Sequence, residues 1–388
     1  MKFFNNFKGL KDIGTIGTAN ILGSTISAFF WIFLASLMGS ENYGELSYYI
    51  SIAGIATSIS FVGGPKALVV LIAKKYEIES TVYFLSIFTS LISSIILYFA
   101  FENIGMSVYV LGAVIYNLSV SELLGRKLYK KYSLYFILQK LFFIILSLIF
   151  YYLIGPEGVL LGIGLSFLIF SKRIYLGFRS TKINFHLLKI KWKFFINNFI
   201  LDLSNVFQTQ IDRLLIAPIF GFIILGNYYL AIQVFNMLAI VPEIVTKYTL
   251  PEDSSGQNTT KIKLLTILFS MILTLMGIFV IPSIVSILFP EYPQSAELIP
   301  IISLSIIPGT IASLYYAQLM AHEKSGILVI SSVSSTIILI TGILSLGSLF
   351  GVIGLAYSFV LSSLFRMLFL FLISFNEKNQ TFHNLFFK

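Results

Sequence analysis

A chain of 388 residues that is 57% hydrophobic and 11% charged, with a mean hydropathy of +0.91, falls far short of the charge content of a soluble domain, which is about a quarter. Apolar runs of about 20 residues, enough to cross about 30 Å of hydrocarbon as helix, follow one another from end to end, so the expectation is an all-α polytopic membrane protein. Cysteine is absent, which excludes disulfides, thiol chemistry and cysteine-held metals, and the three histidines fall in loops or the tail.

The basic start MKFFNNFKGLKDIGT is read as a cytoplasmic tail, because span follows span and no small-residue cleavage site follows it cleanly. Apolar runs between punctuation then predict about twelve transmembrane helices. They lie near 14–38, 43–64, 81–101, 105–122, 133–154, 158–176, 194–219, 222–249, 262–289, 294–320, 325–347 and 351–374. The connections alternate between two kinds. GSENYG, FENIG, IGPEG, IFGF, FPEYPQSAE and GSLFG contain no Lys or Arg. The others carry Lys66, Lys74 and Lys75; Arg126, Lys127, Lys130 and Lys131; the run from Lys172 to Lys193; and Lys247, Lys261, Lys263 and Lys324. Positive residues stay on the cytoplasmic side. Both termini are therefore expected in the cytoplasm of a multi-pass protein of the cell membrane. The net charge of +9 then follows from topology, and nucleic-acid binding is not implied.

An internal repeat organises the chain. The turn 39-GSENYGELSY-48 resembles 221-GFIILGNYYL-230 at an offset of 182 (221 − 39), and 155-GPEG-158 resembles 351-GVIG-354 at 196 (351 − 155). Either the chain holds two six-helix halves of the same up-down order, a transporter plan, or glycine simply recurs at short turns. On the first reading, residues 1–176 form one six-helix bundle, 177–193 a basic cytoplasmic linker, and 194–388 a second bundle with a short cytoplasmic tail.

The seventh predicted helix carries polar residues where hydrocarbon should be. Asn198, Asp202, Asn205, Thr209 and Asp212 are spaced 4, 3, 4 and 3, which is one helix face. Gln208 and Gln210 flank it. On the eighth, Tyr229, Gln233, Asn236, Glu243 and Lys247 share a face, with Lys247 placed to snorkel and Glu243 following Pro242, where a kink would free carbonyls. A full-length polar stripe needs water or polar neighbours in a bilayer, so both helices are read as walls of an aqueous cavity. The offset of 182 carries Asp202 to Asn20, Thr209 to Ser27, Gln233 to Ser51 and Asn236 to Gly54. That milder copy is either a cavity wall or a helix-packing face with Gly17, Gly23 and Ser24. Arg213 either pairs with Asp212 or faces anionic cargo. Lys140 either snorkels or is a cavity cation, and Arg366 is read as snorkelling or packing. There is no Walker A sequence, no metal-spaced cluster, no voltage-sensor Arg repeat and no large external loop. An enzyme, a cofactor and a bound metal are therefore not expected.

The segment DRLLIAPIFGFIILGNYYLA, from Asp212 to Ala231, resembles a recognisable stretch of Wzx-type polysaccharide (O-antigen) flippases, which belong to the MOP (MATE-like) exporter superfamily. ASLMGSENYGELSYYISIAGIATSISFVGGPKAL, from Ala35 to Leu68, resembles that family's second-helix region. YTLPEDSS with Pro251 resembles its pattern at the end of the eighth helix, and LMAHEKSG the turn after the tenth. The resemblance implies a V-shaped pair of six-helix bundles around a hydrophilic cavity. It also implies movement of undecaprenyl- or dolichol-linked oligosaccharide to the outer leaflet, with H⁺ or Na⁺ coupling in some members. Implied partners are the polyprenyl-linked oligosaccharide, membrane lipids and glycan-polymerising membrane proteins. Cations in the expected cavity are few for a pyrophosphate headgroup, which leaves Lys140 and Arg213 as its candidates. On this reading the amides Asn198, Asn205, Gln208, Gln233 and Asn236 meet the headgroup, while Asp202 and Glu243 serve the coupling cation. Three alternatives stay open: a MATE-type cation-coupled drug exporter, a non-transporting scaffold for glycan synthesis, and a lipid flippase of the peptidoglycan type.

Overall fold

The computed structural model describes the backbone of residues 2–254, 259–321 and 324–386. It describes side chains for 17–179, 181–246, 249, 259–320, 324 and 326–374. The side chain of Lys247, most of the YTLPEDSS run, part of LMAHEKSG and both chain ends lie outside the described residues. Among the described residues all regular structure is helical. In order come α1 (Lys2–Ser60), α2 (Gly64–Ala73), α3 (Glu79–Phe101), α4 (Ile104–Gly125), α5 (Tyr129–Ile154), α6 (Pro156–Ser166), a 3-10 turn, α7 (Ser171–Ser180), α8 (Phe185–Ile190) and α9 (Trp192–Phe220). Then follow α10 (Phe222–Ser254), α11 (Thr260–Phe279), α12 (Ile281–Leu288), α13 (Pro293–Ser303), α14 (Ile306–Ala321) and α15 (Ser325–Phe386).

By length and composition the described residues hold eight helical runs able to cross a membrane, or nine if Pro293–Ser303 and Ile306–Met320, bent by 49°, count as one span. This is lower than the expected twelve for identifiable reasons. The 57-residue run Gly17–Ala73 bends at Gly39 and the 49-residue run Gly326–Ser374 bends at Gly351, each with non-helical backbone angles. The helix α9 is not among the eight; Asp202, Asp212, Arg213 and its amides reduce its hydropathy. Two short helices were not anticipated, α2 and, within the segment read as a linker, α8. α2 follows Gly63 and opens on Gly64, both at positive φ, with Pro65 in its first turn, a favoured position for proline. Its ten residues span about 15 Å at 1.5 Å each, too little to cross a bilayer.

Helix faces are arranged inside-out relative to a soluble protein. On α3, Ser86, Ser90 and Ser94 are buried while Phe88, Ile95 and Phe99 are exposed. Lipid solvates the apolar face, and small hydroxyl residues allow close helix approach on the other. Ser94 and Ser107 exchange hydroxyl-to-carbonyl bonds of 2.9 and 2.7 Å across α3 and α4.

Contacts divide the chain into two compact units. The first comprises Met1–Phe30 and Leu46–Gln210, the second Trp31–Glu45 and Ile211–Lys388. In the first unit, a charge network ties the ends of α3 and α4 to α7. Glu122, 1% exposed, accepts from Arg173 Nη2 and Nε at 2.6 and 3.1 Å. Arg126 bridges Glu122 at 3.0 Å and Glu79 at 3.1 Å. The segment read as a linker, 177–193, is packed onto this unit. Ser80 Oγ donates to the Thr181 carbonyl at 2.7 Å, the Asn184 backbone N–H donates to Thr81 Oγ1 at 2.7 Å, and Leu188 is buried in the core around Tyr83 and Phe195.

In the second unit, the two repeat turns meet. A Cβ on Gly44 would collide with the Phe222 carbonyl, and a Cβ on Gly226 would collide with the Ser40 carbonyl. These contacts are the same under the offset of 182 (226 − 44 and 222 − 40), so the crossing has an internal twofold character. The corner glycines also agree: φ is 72° at Gly39 and 88° at Gly221, 89° at Gly155 and 59° at Gly351. Likewise a Cβ on Gly158 would strike the Phe150 carbonyl, and one on Gly354 the Leu346 carbonyl. Both members of these pairs are 196 residues apart (354 − 158, 346 − 150). The resemblance of the two turns is therefore geometric as well as sequential.

A buried polar clamp holds α13 to α10. Asn227 is 1% exposed. Its Oδ1 accepts from the Ser295 backbone N–H at 3.1 Å, and its carbonyl accepts from Ser295 Oγ at 2.8 Å. The first N–H groups of a helix have no partner within it, so Asn227 supplies one from another helix. Asn227→Ala is expected to cost about 0.5–1.5 kcal/mol, the net worth of a lost hydrogen bond, since the Ser295 N–H keeps the Tyr292 carbonyl at 3.1 Å. Thermal unfolding in detergent checks this, and an unchanged midpoint would refute it.

Candidate functional site

The polar stripe on α9 is shared between the units, changing at Gln210/Ile211. In the first unit, Asp202 is half-buried and its Oδ2 accepts from Ser58 Oγ at 2.9 Å. Gly64 makes room for this carboxylate: a Cβ there would stand 3.3 Å from Asp202 Cβ. Asn198 Nδ2 donates to the Phe194 carbonyl at 2.9 Å, one turn back. Asn205 and Gln208 are half-buried, and Thr209 is exposed, its hydroxyl bonded to the Asn205 and Val206 carbonyls. The Gln210 amide packs beside Gly54.

Two further expected residues sit elsewhere in this unit. Asn20 Oδ1 accepts from the Tyr132 hydroxyl at 2.8 Å. Lys140 is half-buried, with its Nζ 5.5 Å from the ring centroids of both Phe136 and Phe143. Aromatic faces attract a cation, so its charge is held by ring quadrupoles on its own helix.

In the second unit, the outer end of the stripe enters an aromatic cluster. Asp212 is 5% exposed; its Oδ2 accepts from the Tyr228 hydroxyl at 3.2 Å and its Oδ1 from the Arg213 backbone N–H at 2.9 Å. The Arg213 guanidinium lies 4.6 Å from the Tyr229 ring centroid. Tyr229 meets Tyr43 at 5.0 Å and Trp31 at 6.3 Å, and Tyr43 meets Tyr292 at 6.1 Å. Gln233 is buried and hydrogen-bonded to Tyr229. The Tyr292 hydroxyl donates to the Ala35 carbonyl at 2.7 Å. Asp212 and Arg213 are thus built into the packing that holds the repeat turns together.

Asn236 and Glu243 are exposed on α10, which stays helical across Pro242. Glu243 lines a cavity of about 310 Å³ with Pro242, Thr246, Thr310, Ser313 and Tyr316. Thr246 and Ser313 hydroxyls lie 3.0 Å apart, and the Arg366 guanidinium lies 5.7 Å from the Tyr316 ring centroid. The expected residues therefore occupy several places: Asp202 with Ser58 in the first unit, Asp212, Arg213 and Gln233 in the aromatic cluster, and Glu243 in its own cavity.

Residue patterning alone did not reveal Tyr228 as the partner of Asp212, nor Tyr43 and Tyr292 as members of the cluster around Tyr229. The Tyr-rich sequence after both repeat turns was the available signal. Nor did it reveal the Glu79–Arg126–Glu122–Arg173 network, whose arginines the topology rule had already accounted for.

No family model matches the chain, and no curated protein matches it by sequence. Solved structures do match. The lipid II flippase MurJ in an inward closed conformation superposes with a TM-score of 0.74 at 16% identity, over 92% of this chain and 87% of that one. An inward-facing multidrug resistance MATE family transporter of the MOP superfamily gives 0.69 at 16%, over 90% and 93%. A Vibrio cholerae MATE transporter gives 0.62 at 12%, over 97% and 100%. The chain is an all-α polytopic membrane protein with the fold of MATE and MurJ transporters.

Proposed function

We propose that this chain is a membrane flippase that moves polyprenyl-linked oligosaccharide from the cytoplasmic to the outer leaflet by alternating access. The observation that supports this reading is the set of polar side chains at exposed or half-buried positions of helices whose other faces are apolar. Thr209, Asn236 and Glu243 are exposed, and Asn198, Asp202, Asn205 and Gln208 are half-buried. At bilayer depth such groups need water or a polar ligand, and amides and hydroxyls match sugar hydroxyls in donors and acceptors.

On this reading residues 1–176 and 194–388 are the two six-helix halves, joined through 177–193, with both termini in the cytoplasm and the cargo tail in lipid. Lys140 and Arg213 are the candidate contacts for the phosphate. Asp202 and Glu243 bind the coupling H⁺ or Na⁺, because occupancy of a carboxylate biases the protein between its open states.

The test is surface-glycan export in a strain lacking its own flippase. The intact chain is expected to restore export, and Asp202→Ala with Glu243→Ala to reduce it at least about fivefold, the lower end of usual coupling energies. Full export by the double variant would sink the coupling role. Drug resistance without glycan export would instead support the exporter reading. Unaltered function on loss of Asn205 would support a scaffold.

A further inference from the structure

The segment between Ser171 and Lys193 contains no Asp or Glu. The structure rules out a free loop for it. Arg173 is pinned to Glu122, Thr181 to Ser80 and Asn184 to Thr81, and Gly177 packs on the Tyr83 ring. Lys191 Nζ lies 4.6 Å from the Tyr76 ring centroid. With one side so anchored, the other is displayed in a fixed orientation. It exposes large apolar groups: Tyr175 60%, Leu176 40%, Ile183 48%, Ile190 62% and Trp192 51%. Interleaved with them, Lys172, Arg179, Lys182, Lys189 and Lys193 are exposed.

The topology rule explains the lysines, since it asks for positive charge near helix ends. It does not require exposed Trp, Tyr and Ile among them. Alternating basic and apolar side chains on a rigid, membrane-flanking element is the chemistry of an interfacial segment, whose apolar groups enter the acyl boundary while its cations reach headgroups. The Arg/Lys-rich side of a bilayer faces the leaflet that carries anionic lipid.

We infer that 171–193 is a binding surface for anionic phospholipid of the cytoplasmic leaflet. This goes beyond the flippase reading and holds for any cargo. The surface would fix the first unit at one depth and orientation through its α3 and α4 ends, and would make its stability depend on lipid charge.

The chain supplies its own reporter, because its only tryptophans are Trp31 and Trp192. In the full-length Trp31→Phe protein in nonionic detergent, phosphatidylglycerol is titrated against phosphatidylcholine and Trp192 emission is read, with brominated chains as quencher. Phosphatidylglycerol is expected to shift the emission to shorter wavelength and quench it saturably, at lower concentration than phosphatidylcholine, with weakening as salt rises. Lys182→Gln, Lys189→Gln and Lys193→Gln are each expected to weaken the apparent affinity about fivefold, equivalent to about 1 kcal/mol per basic residue. Lys74→Gln, on another basic connection, should leave it unchanged. Equal responses to both lipids, or a salt-insensitive response, would overturn the inference even if the lysine variants failed to fold. An equal response to soluble pyrophosphate would do so in favour of a free phosphate site, and one to polyglutamate in favour of an acidic protein.

Discussion

Arg173→Ala is expected to destabilise the protein by about 3–5 kcal/mol, the usual result of removing one partner from a buried ion pair. Glu122 is 1% exposed and receives two bonds from Arg173. Without the guanidinium a buried carboxylate is left at the helix junction with Arg126 as its ion-pair partner at 3.0 Å. Arg173→Lys should recover only part of the loss, since an ammonium cannot present two parallel donors to one carboxylate. The double variant Arg173→Met, Glu122→Leu is expected to recover more than Arg173→Lys, because replacing both charges by apolar groups removes the desolvation penalty along with the attraction. Unfolding midpoints of the four proteins in one detergent provide the measurement. A wild-type midpoint for Arg173→Ala would mean that water reaches Glu122 in the membrane-embedded protein. The network also holds α7 in place, so in the single variant Trp192 emission should lose its response to anionic lipid before the global transition.

Gly226→Leu is expected to open the crossing of the two repeat turns. A Cβ at Gly226 already collides with the Ser40 carbonyl, and its repeat-related counterpart at Gly44 collides with that of Phe222. Overpacking of this kind typically costs about 1–3 kcal/mol, which converts to a roughly 5- to 150-fold loss in the population of the closed arrangement. These turns belong to the connections without Lys or Arg, which the charge rule assigns to the outer face. On the proposed flippase reading, a chain that alternates between inward- and outward-open states closes here in one of them. The variant should therefore favour the state in which the turns are apart. Absence of native cysteine makes the measurement direct. A single Ser40→Cys should react with an impermeant maleimide about tenfold faster in the Gly226→Leu background, equivalent to about 1.4 kcal/mol. Glycan export should fall in parallel. Equal labelling rates with retained export would show that the crossing is not a moving contact.

The sequence alone carried the membrane class, the helical architecture, the alternation of charged and uncharged connections and the repeat. These properties depend on composition, on turn residues and on the partition of charge across a bilayer, each of which acts locally along the chain. Glycine at 39, 221, 155 and 351 was legible for the same reason: a corner with positive φ selects that residue wherever it occurs. The α9 stripe was equally legible, because spacings of 4 and 3 place side chains on one face regardless of what they meet.

What those side chains meet was decided only by tertiary packing. Asp202 and Asp212 occupy one face of one helix, yet one carboxylate accepts from Ser58, 144 residues earlier, and the other from Tyr228 in the next helix. No periodicity distinguishes them, because a partner across helices depends on crossing angle and on which neighbour has a small residue at that level, as Gly64 is beside Asp202. Arg213 shows the same limit: its sequence neighbour Asp212 bonds its backbone N–H, while its guanidinium settles on Tyr229. The basic stretch 177–193 reads as a linker because it is polar and short of apolar runs. The Arg173–Glu122 ion pair just before it and the bonds of Thr181 and Asn184 to α3 turn it into part of a unit. A handful of long-range polar contacts is enough to order a segment, and chain-local patterns carry no information about them.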